Sequence, residues 1–194
     1  MKMVRIVRDP GTIKLLADLV RRDILRLISA KPLTQTQLAK RILLTEPSVY
    51  HHLQILSKAG LIRIKLSEVG PHGILEKYYE PTAKLFIEDW EMTPLDLRRY
   101  FVHNHMERLR GMLSVFQLMA DQRGKGVEVG SEEIEGLAQV LAKHVTQVGE
   151  KYEDVEVDVD RETLLIRIYS ETLKIVMAED RWKKFFLRMK NPPR

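Results

Sequence analysis

The first long run of hydrophobic periodicity along the chain begins at Thr12. Its apolar positions recur at intervals of three and four, as on one face of an amphipathic helix. They are Ile13, Leu16, Ala17, Leu19, Val20, Ile24, Leu25, Leu27 and Ile28. We expect one helix of about 18 residues, ending at Lys31, because a proline disfavours helical geometry in the residue before it.

Two shorter helices are predicted next, each beginning at a capping residue. Thr34 is a suitable N-cap for the second helix, and Thr45 for the third. Pro47 is tolerated in the first turn of the third helix. Gly60 marks the end of that helix, since glycine readily adopts the left-handed geometry of a helix C-terminus.

A β-hairpin is predicted directly after the third helix. Residues 62–66 alternate between apolar and charged side chains, which is strand periodicity, and residues 75–80 are predicted to form the returning strand. The sequence Gly70-Pro71-His72-Gly73 supplies the turn between them. The predicted order is therefore helix, helix, helix, hairpin.

The C-terminal half is predicted to be mostly helical. A short helix is expected from Thr82 to about Glu91, and a long helix starts at Thr93-Pro94. The long helix has the alternating four- and three-residue spacing of a heptad seam, formed by Val102, Met106, Leu109, Leu113, Phe116 and Ala120. After a polar break at residues 122–130, the same spacing recurs in Ile134, Ala138, Leu141, Val145, Val148 and Tyr152. We expect the two long helices to pair as a hairpin or across a dimer.

A second, short hairpin is predicted near the C-terminus. Val155, Val157 and Val159 alternate with acidic residues, and residues 164–169 can form the returning strand. The segment from Leu173 to Met189 is expected to be mostly helical. Its basic, aromatic end permits a membrane or nucleic-acid contact, but helical spacing favours docking into the core for Trp182, Phe185, Phe186 and Met189.

Composition narrows the possible functions. The 194 residues are 44% hydrophobic and 30% charged, as in an ordinary globular protein, and contain no cysteine, which excludes disulfides, Cys-ligated metals and thiol nucleophiles. We find no signal-peptide pattern and no long apolar run, so a cytoplasmic protein without a membrane partner is expected.

Positive charge is concentrated in the N-terminal half. Residues 1–90 contain 15 Lys and Arg against 9 Asp and Glu, whereas residues 91–194 contain 17 against 18; the balances of +6 and −1 give the net charge of +5. Such asymmetry is compatible with a polyanionic partner, because neutralised phosphates release their counterions.

The predicted third helix has one face suited to reading base edges. A rotation of about 100° per residue groups Val49, Leu53 and Leu56 on one face. The opposite face and flanks carry polar or small side chains: Pro47, Ser48, Tyr50, His51, Gln54 and Lys58. Ser48, His51 and Gln54 can reach base edges, and Tyr50 and Lys58 can hold phosphates. The alternative interpretation is a solvated helix face.

The N-terminal region resembles the ArsR-type winged helix-turn-helix repressors, in an archaeal-like form. The resemblance lies in four segments: residues 16–25, Leu44–Leu56, Lys58–Ile62 and Lys77-Tyr78-Tyr79. It covers about 75 residues and implies DNA binding, with the hairpin as a wing on the DNA backbone or in the minor groove. The implied wing contacts are Arg63, Lys65, His72 and Lys77; the alternative is a basic hairpin without a partner.

The fold class expected from these elements is mainly α with a small β component (α+β). Residues 1–90 are predicted to form a winged helix-turn-helix DNA-binding domain. Residues 91–194 are predicted to form a C-terminal dimerisation domain of long helices and a short β-hairpin, with room for a small-molecule effector.

Metal sensing is not expected, although it occurs in the family. Metal-sensing members carry cysteines in the second helix, where this chain has Gln35-Thr36-Gln37-Leu38. His103 and His105 should point to different sides of their helix, and His103 with Glu107 is more typical of surface chemistry than of a metal site. His52 is expected to pack rather than to read a base. No metal or other cofactor is predicted.

The sequence thus predicts a transcriptional regulator that binds double-stranded DNA as a homodimer. Of the two possible roles, repressor and activator, the repressor is favoured. Two recognition helices about one DNA turn apart require a two-fold dimer. The alternative is a winged-helix protein interaction module in a larger assembly. An enzyme is not expected, because phosphate-loop, nucleophile-elbow and metal-ligand motifs are lacking.

Overall fold

The computed structural model describes residues 1–70, 73–122, 128–155 and 159–190. The chain divides into two compact units. The first unit comprises Met1–Glu88 and Gly149–Leu165, and the second comprises Asp89–Val148 and Ile166–Arg194. Helices dominate and the sheets are small, which confirms the α+β fold class. None of the described helices combines enough length with enough apolar residues to span a bilayer.

The described part of residues 1–88 contains five strands and four helices. In chain order they are β1 (Lys2–Val7), α1 (Pro10–Leu16), α2 (Leu19–Ala30), β2 (Leu33–Thr34), α3 (Gln35–Ile42), α4 (Glu46–Lys58), β3 (Ile62–Val69), β4 (Leu75–Pro81) and β5 (Ala83–Glu88). The predicted series of helices followed by a hairpin is present, with a strand added at each end.

The single helix predicted from Thr12 is wrong, because two helices occupy this segment. The break falls at Ala17 and Asp18. Asp18 has extended backbone geometry, and its carboxylate accepts a hydrogen bond from the backbone N–H of Arg21 at 2.9 Å. Asp18 is thus the N-cap of α2, and capping by a short acidic side chain competes with continuing the helix through this position.

The predicted starts of α3 and α4 are confirmed. Thr34 forms a capping box with Gln37: its Oγ1 accepts from the Gln37 backbone N–H at 3.2 Å, and the Gln37 side chain accepts from the Thr34 N–H at 3.2 Å. Thr45 caps α4 by accepting from the Ser48 N–H at 3.4 Å. These side chains satisfy backbone donors that have no partner within the helix.

The predicted hairpin is also confirmed, as β3 and β4. These strands pair antiparallel, with an irregularity between Ile64 and Leu66, and the short strand β2 adds to the other edge of β4. Gly60, at φ +64°, has the left-handed geometry predicted for the connection from α4. Pro71 and His72 of the predicted turn lie outside the described residues.

The helix predicted from Thr82 to about Glu91 is wrong, because this segment contains strand β5. It pairs in parallel with β1, in a register that places Val4 opposite Leu85 and Ile6 opposite Ile87. Alternate β5 residues are buried, as expected for a strand with one face in the core. β1 itself was not predicted.

After β5, the residues that the structure describes form four helices: α5 (Leu95–Asp121), α6 (Ser131–Glu150), α7 (Arg161–Ala178) and α8 (Asp180–Lys190). The heptad seam of α5 is buried from Val102 to Leu113 and again at Ala120, but Phe116 is 40% exposed. The second seam is buried from Ile134 to Val148. Tyr152, predicted as its last member, lies beyond α6 and is half-buried.

The strand predicted at residues 164–169 is wrong, because these residues belong to α7. Leu164, Ile168 and Thr172 are fully buried and four apart, which is a helical spacing. Val155 and Val159 flank residues outside the described part of the chain, and Val157 is one of those. The predicted docking of the C-terminal aromatic residues is confirmed for Trp182 and Phe185, which are 2% and 5% exposed.

Candidate nucleic-acid interface

In the first unit, helix α4 has one buried face and one face that is accessible to solvent. Val49, Leu53 and Leu56 are 0–1% exposed and form its buried face. The predicted contact face is accessible, with four exposed residues: Pro47, His51, Gln54 and Lys58. The helical spacing of the sequence therefore places hydrogen-bonding and cationic groups on the accessible side of the helix.

The two flanking candidates on α4 differ in accessibility. Ser48 is half-buried, and its backbone N–H is occupied by the Thr45 cap. Tyr50 is 47% exposed. On β4, burial raises the pKa of the Tyr79 hydroxyl, and Tyr50 adds a smaller contribution in the same direction. Tyr79 therefore stays neutral, whereas Tyr50 offers an accessible phenol.

The connection between α3 and α4 has a specific geometry that the sequence reasoning missed. The Gln35 side chain donates from Nε2 to the backbone oxygen of Glu46 at 3.1 Å, and so ties the start of α3 to the start of α4. Leu43 is in the left-handed region, at φ 56°, with an 89% exposed side chain. A non-glycine residue in this region is uncommon and carries an energetic cost, which the surrounding structure must offset.

The cations of the hairpin are partly neutralised. Arg63 Nε donates to Glu80 Oε1 at 2.9 Å, and Arg63 Nη2 forms an ion pair with the same oxygen at 2.7 Å. Lys65 Nζ lies 3.7 Å from Glu80 Oε2. The Glu80 side chain is 14% exposed, whereas those of Arg63 and Lys65 are 57% and 48% exposed. One carboxylate thus orients two accessible cations. Glu80 was not singled out from the sequence, although opposite charges facing each other across a predicted hairpin are a usable signal.

The two remaining candidate DNA contacts on the hairpin are Lys77 and His72, and the structure describes only the first of them. Lys77 is exposed on β4, opposite Ser67 of β3. His72 lies outside the described residues. Lys77 therefore adds a third accessible cation to the hairpin formed by β3 and β4, which we call the wing.

His52 lies towards the buried side of α4. It is half-buried, and its Nδ1 atom is buried without a hydrogen-bond partner. Burial lowers the pKa of His52. The imidazole is therefore favoured in its neutral form, and its partial burial agrees with the packing that was expected for it.

The histidines of α5 point in different directions, as predicted. His103 is exposed, whereas His105 is 4% exposed and its Nδ1 lies 3.0 Å from the Tyr169 hydroxyl. Among the residues that the structure describes, no three or more His, Asp or Glu side chains are grouped to hold a metal ion.

The solved structures that are similar to this chain include two bacterial proteins, both at low identity. The adhesin competence repressor of Streptococcus pyogenes is 21% identical, over 74% of this chain and 91% of that chain, with a TM-score of 0.33. Bacillus subtilis PadR in complex with operator DNA is 12% identical, over 89% of this chain and 96% of that chain, with a TM-score of 0.32. At these TM-scores neither similarity supports an inference about this chain.

Comparison at the sequence level is more specific. No curated protein matches the chain. A family model described as a helix-turn-helix domain matches residues 16–65, which span the segment from the end of α1 into β3. The chain therefore contains a helix-turn-helix domain, of the type found in DNA-binding transcription regulators, and α4 with its exposed polar face lies within it.

Proposed function

We propose that this chain is a sequence-specific DNA-binding transcriptional regulator of the ArsR type, acting as a repressor in the cytoplasm. The observation that carries the proposal is the accessible face of α4, with His51, Gln54 and Lys58 exposed inside the matched helix-turn-helix domain. A helix of this kind fits the major groove, where base edges present donors and acceptors.

The proposed contacts divide into base reading and phosphate binding. The Gln54 amide pairs with adenine, and His51 and Ser48 contact neighbouring base edges, with Pro47 allowing close approach at the start of the helix. Tyr50 and Lys58 hold phosphates. Arg63, Lys65, His72 and Lys77 of the wing contact the DNA backbone or the minor groove.

A homodimer through the C-terminal helices completes the proposal. Four large apolar residues near the end of α5 are 40–60% exposed: Val115, Phe116, Leu118 and Met119. Burial of these side chains against a second copy removes apolar surface from water. A two-fold dimer also places two α4 helices on successive half-sites.

A second candidate function is a protein interaction module within a larger assembly. Three apolar residues near the tip of the wing favour it: Val69, Ile74 and Leu75 are 73%, 65% and 58% exposed. An apolar tip is more typical of a protein contact than of a phosphate contact.

In vitro selection from a random duplex library tests the proposal. We expect enrichment of an inverted repeat whose half-sites are about 10 base pairs apart, and a dimer in light scattering of the free protein. A Gln54→Ala variant should enrich a different or weaker motif, whereas Lys174→Gln, at an exposed position of α7, should enrich the same motif. Failure to enrich any sequence would refute sequence-specific DNA binding, and a strict monomer would refute the dimer.

A further inference from the structure

The second unit contains a cavity of about 700 Å³ that is partly open to solvent. Its wall is formed by Trp90, by the first three turns of α5 and by α6. The polar and aromatic groups that define its chemistry are Trp90, Arg98, Arg99, Tyr100, His103 and Glu135. A cavity of this size is in the range of small-molecule sites in proteins.

Arg98 is held in place at the edge of this cavity by neutral groups. Its Nη2 donates to the backbone oxygens of Trp90 and Glu91 at 3.2 and 3.3 Å, and its Nε donates to the Thr93 oxygen at 3.2 Å. The guanidinium carbon also lies 5.0 Å from the centre of the Trp90 ring. The side chain is thus ordered in advance of any ligand, which reduces the entropy lost on binding.

The charge of Arg98 is not balanced by an acid. Within the described part of the chain, no carboxylate lies within ion-pair distance of Arg98 or Arg99, and Glu135 has no basic partner. The wall therefore carries two arginines against one glutamate. Because Nε and Nη2 of Arg98 already donate to backbone oxygens, Arg98 can offer an anion the donors of Nη1, while Arg99 can offer paired guanidinium donors. Such charge-assisted hydrogen bonds favour an anionic group in the cavity.

The remainder of the wall is apolar or aromatic. Val102 and Met106 are 7% and 9% exposed and supply apolar surface, while Trp90 and Tyr100 supply rings. Trp90 already stacks with Arg98, so a planar ligand can extend this stack. The cavity thus combines a site for an anionic group with a surface for a flat apolar body.

We propose that this cavity binds a small organic anion with an aromatic ring, its carboxylate or phosphate at Arg98 and Arg99 and its ring against Trp90 and Tyr100. The binding itself is independent of the proposed function. Its role as the effector that modulates DNA affinity rests on that function.

Calorimetry of the full chain, without DNA, tests the binding. The probes are benzoate, 2-naphthoate and phenyl phosphate, each compared with a neutral alcohol of the same ring. We expect saturable binding of at least one anion and at least about ten-fold weaker binding of its neutral counterpart, because a charge-assisted hydrogen bond is lost. No saturable binding of any probe at millimolar concentration, or equal binding of the neutral alcohols, would overturn the proposal.

Three charge variants locate the site. Arg99 is exposed and has no ion pair in the described part of the chain, so Arg99→Gln should fold normally and weaken anion binding by about ten-fold. Glu135→Gln removes the one acid on the wall and should strengthen binding. Arg167→Gln, which makes the same charge change on α7 outside the cavity, should leave it unchanged. Equal weakening by Arg167→Gln and Arg99→Gln would show a general charge effect and overturn the assignment.

A titration with the selected duplex separates this proposal from the proposed function. If the anion binds as expected but no DNA sequence is selected, the proposed anion site is supported and the proposed DNA-binding function is refuted. If DNA is bound but none of the anions is, the cavity proposal fails alone. An effector must change the DNA affinity of the wild type and have a reduced effect on Arg99→Gln at the same concentration.

Discussion

The carboxylate of Glu80 lies 2.7 Å from the guanidinium of Arg63, directly across the two strands of the wing. The same carboxylate is 3.7 Å from Lys65 Nζ. Both cations remain about half exposed in spite of this pairing. Glu80 therefore orients the positive charge of the wing and at the same time reduces the charge available to a phosphate.

This pairing predicts that Glu80→Gln strengthens binding to any DNA duplex. The substitution removes one negative charge and frees Arg63 and Lys65 to contact phosphates. The slope of log K against log salt should become steeper by about one. Fluorescence anisotropy titrations at several salt concentrations measure both quantities.

Glu68→Gln is the matched control for Glu80→Gln. Glu68 is exposed on β3, opposite Glu76, and has no basic partner within the described residues. Its substitution makes the same charge change without releasing a cation, so its effect on affinity should be smaller. Equal effects of the two variants would contradict the role assigned to the Glu80 pairing.

Substitutions on the accessible face of α4 should have two different effects on DNA binding. Gln54→Ala and His51→Ala should change which base is preferred, at a cost of about 1–3 kcal/mol for the best sequence. Lys58→Gln should instead weaken all sequences alike and reduce the salt slope by about one. Competition binding with single-base variants of the selected duplex distinguishes them. A Gln54→Ala protein with unchanged base preference would exclude base reading by this side chain.

The capping box of α3 predicts a loss of stability for Thr34→Ala. Removing the hydroxyl leaves the Gln37 backbone N–H without its acceptor, at a cost of about 1 kcal/mol. Thr36→Ala, within the same helix, is the control and should be nearly neutral, since alanine favours helices. Urea denaturation followed by circular dichroism measures both variants, and equal midpoints would argue against the cap.

Two helical glycines predict stability changes of opposite sign. A Cβ at Gly149 would lie 2.6 Å from Ile87 Cδ1 and 3.0 Å from Ile6 Cδ1, whereas a Cβ at Gly111 would meet no atom within 4 Å. Gly149→Ala should therefore lower the unfolding free energy by about 1 kcal/mol or more, because both isoleucines are buried. Gly111→Ala should raise it by about 0.5–1 kcal/mol through helix propensity. Thermal unfolding that shifts in the same direction for both variants would contradict this packing.

The environment of His52 predicts a pH dependence of stability. Because burial lowers its pKa, the folded chain binds a proton less readily than the unfolded chain. The contribution of His52 to stability is therefore complete above the unfolded pKa of about 6.5 and is lost as the pH falls below it. Urea midpoints for His52→Gln should depend less on pH than those of the wild type between about pH 7 and pH 5. His51→Gln, at an exposed position, should keep the wild-type dependence.

The elements predicted correctly are those with local signals. Three such signals mark the ends of α3 and α4: the N-caps Thr34 and Thr45 and the left-handed Gly60. Each of them acts within a few residues of its own position. The accessible face of α4 followed from helical spacing alone. These features depend on short-range hydrogen bonds and backbone sterics, which a single sequence contains.

The errors have identifiable physical causes. β5 pairs in parallel with β1, about 80 residues earlier in the chain. A parallel pairing across that distance produces no recognisable pattern in the sequence near either strand. Its alternating buried positions Ala83, Leu85 and Ile87 were available in the sequence but were obscured by Phe86 on the other face. In α7 the four-residue spacing from Leu164 to Thr172 was the correct signal, and the alternation over residues 164–169 was misleading.

The candidate site was predictable only in part. The exposed cations of the wing could be identified from the sequence, but not their sharing of Glu80, because that requires the strand register. The cavity beside Arg98 brings together residues of two helices and the segment before them, and its chemistry emerges only from the packed structure.

The ratio of dissociation constants for a scrambled and a selected duplex tests the central claim most directly. At one fixed salt concentration near physiological strength, the wild-type protein should bind the selected duplex at least about 1,000-fold more tightly. Gln54→Ala should reduce that ratio while Lys174→Gln preserves it. A wild-type ratio near one, or no binding to either duplex, would contradict the claim that α4 reads DNA sequence.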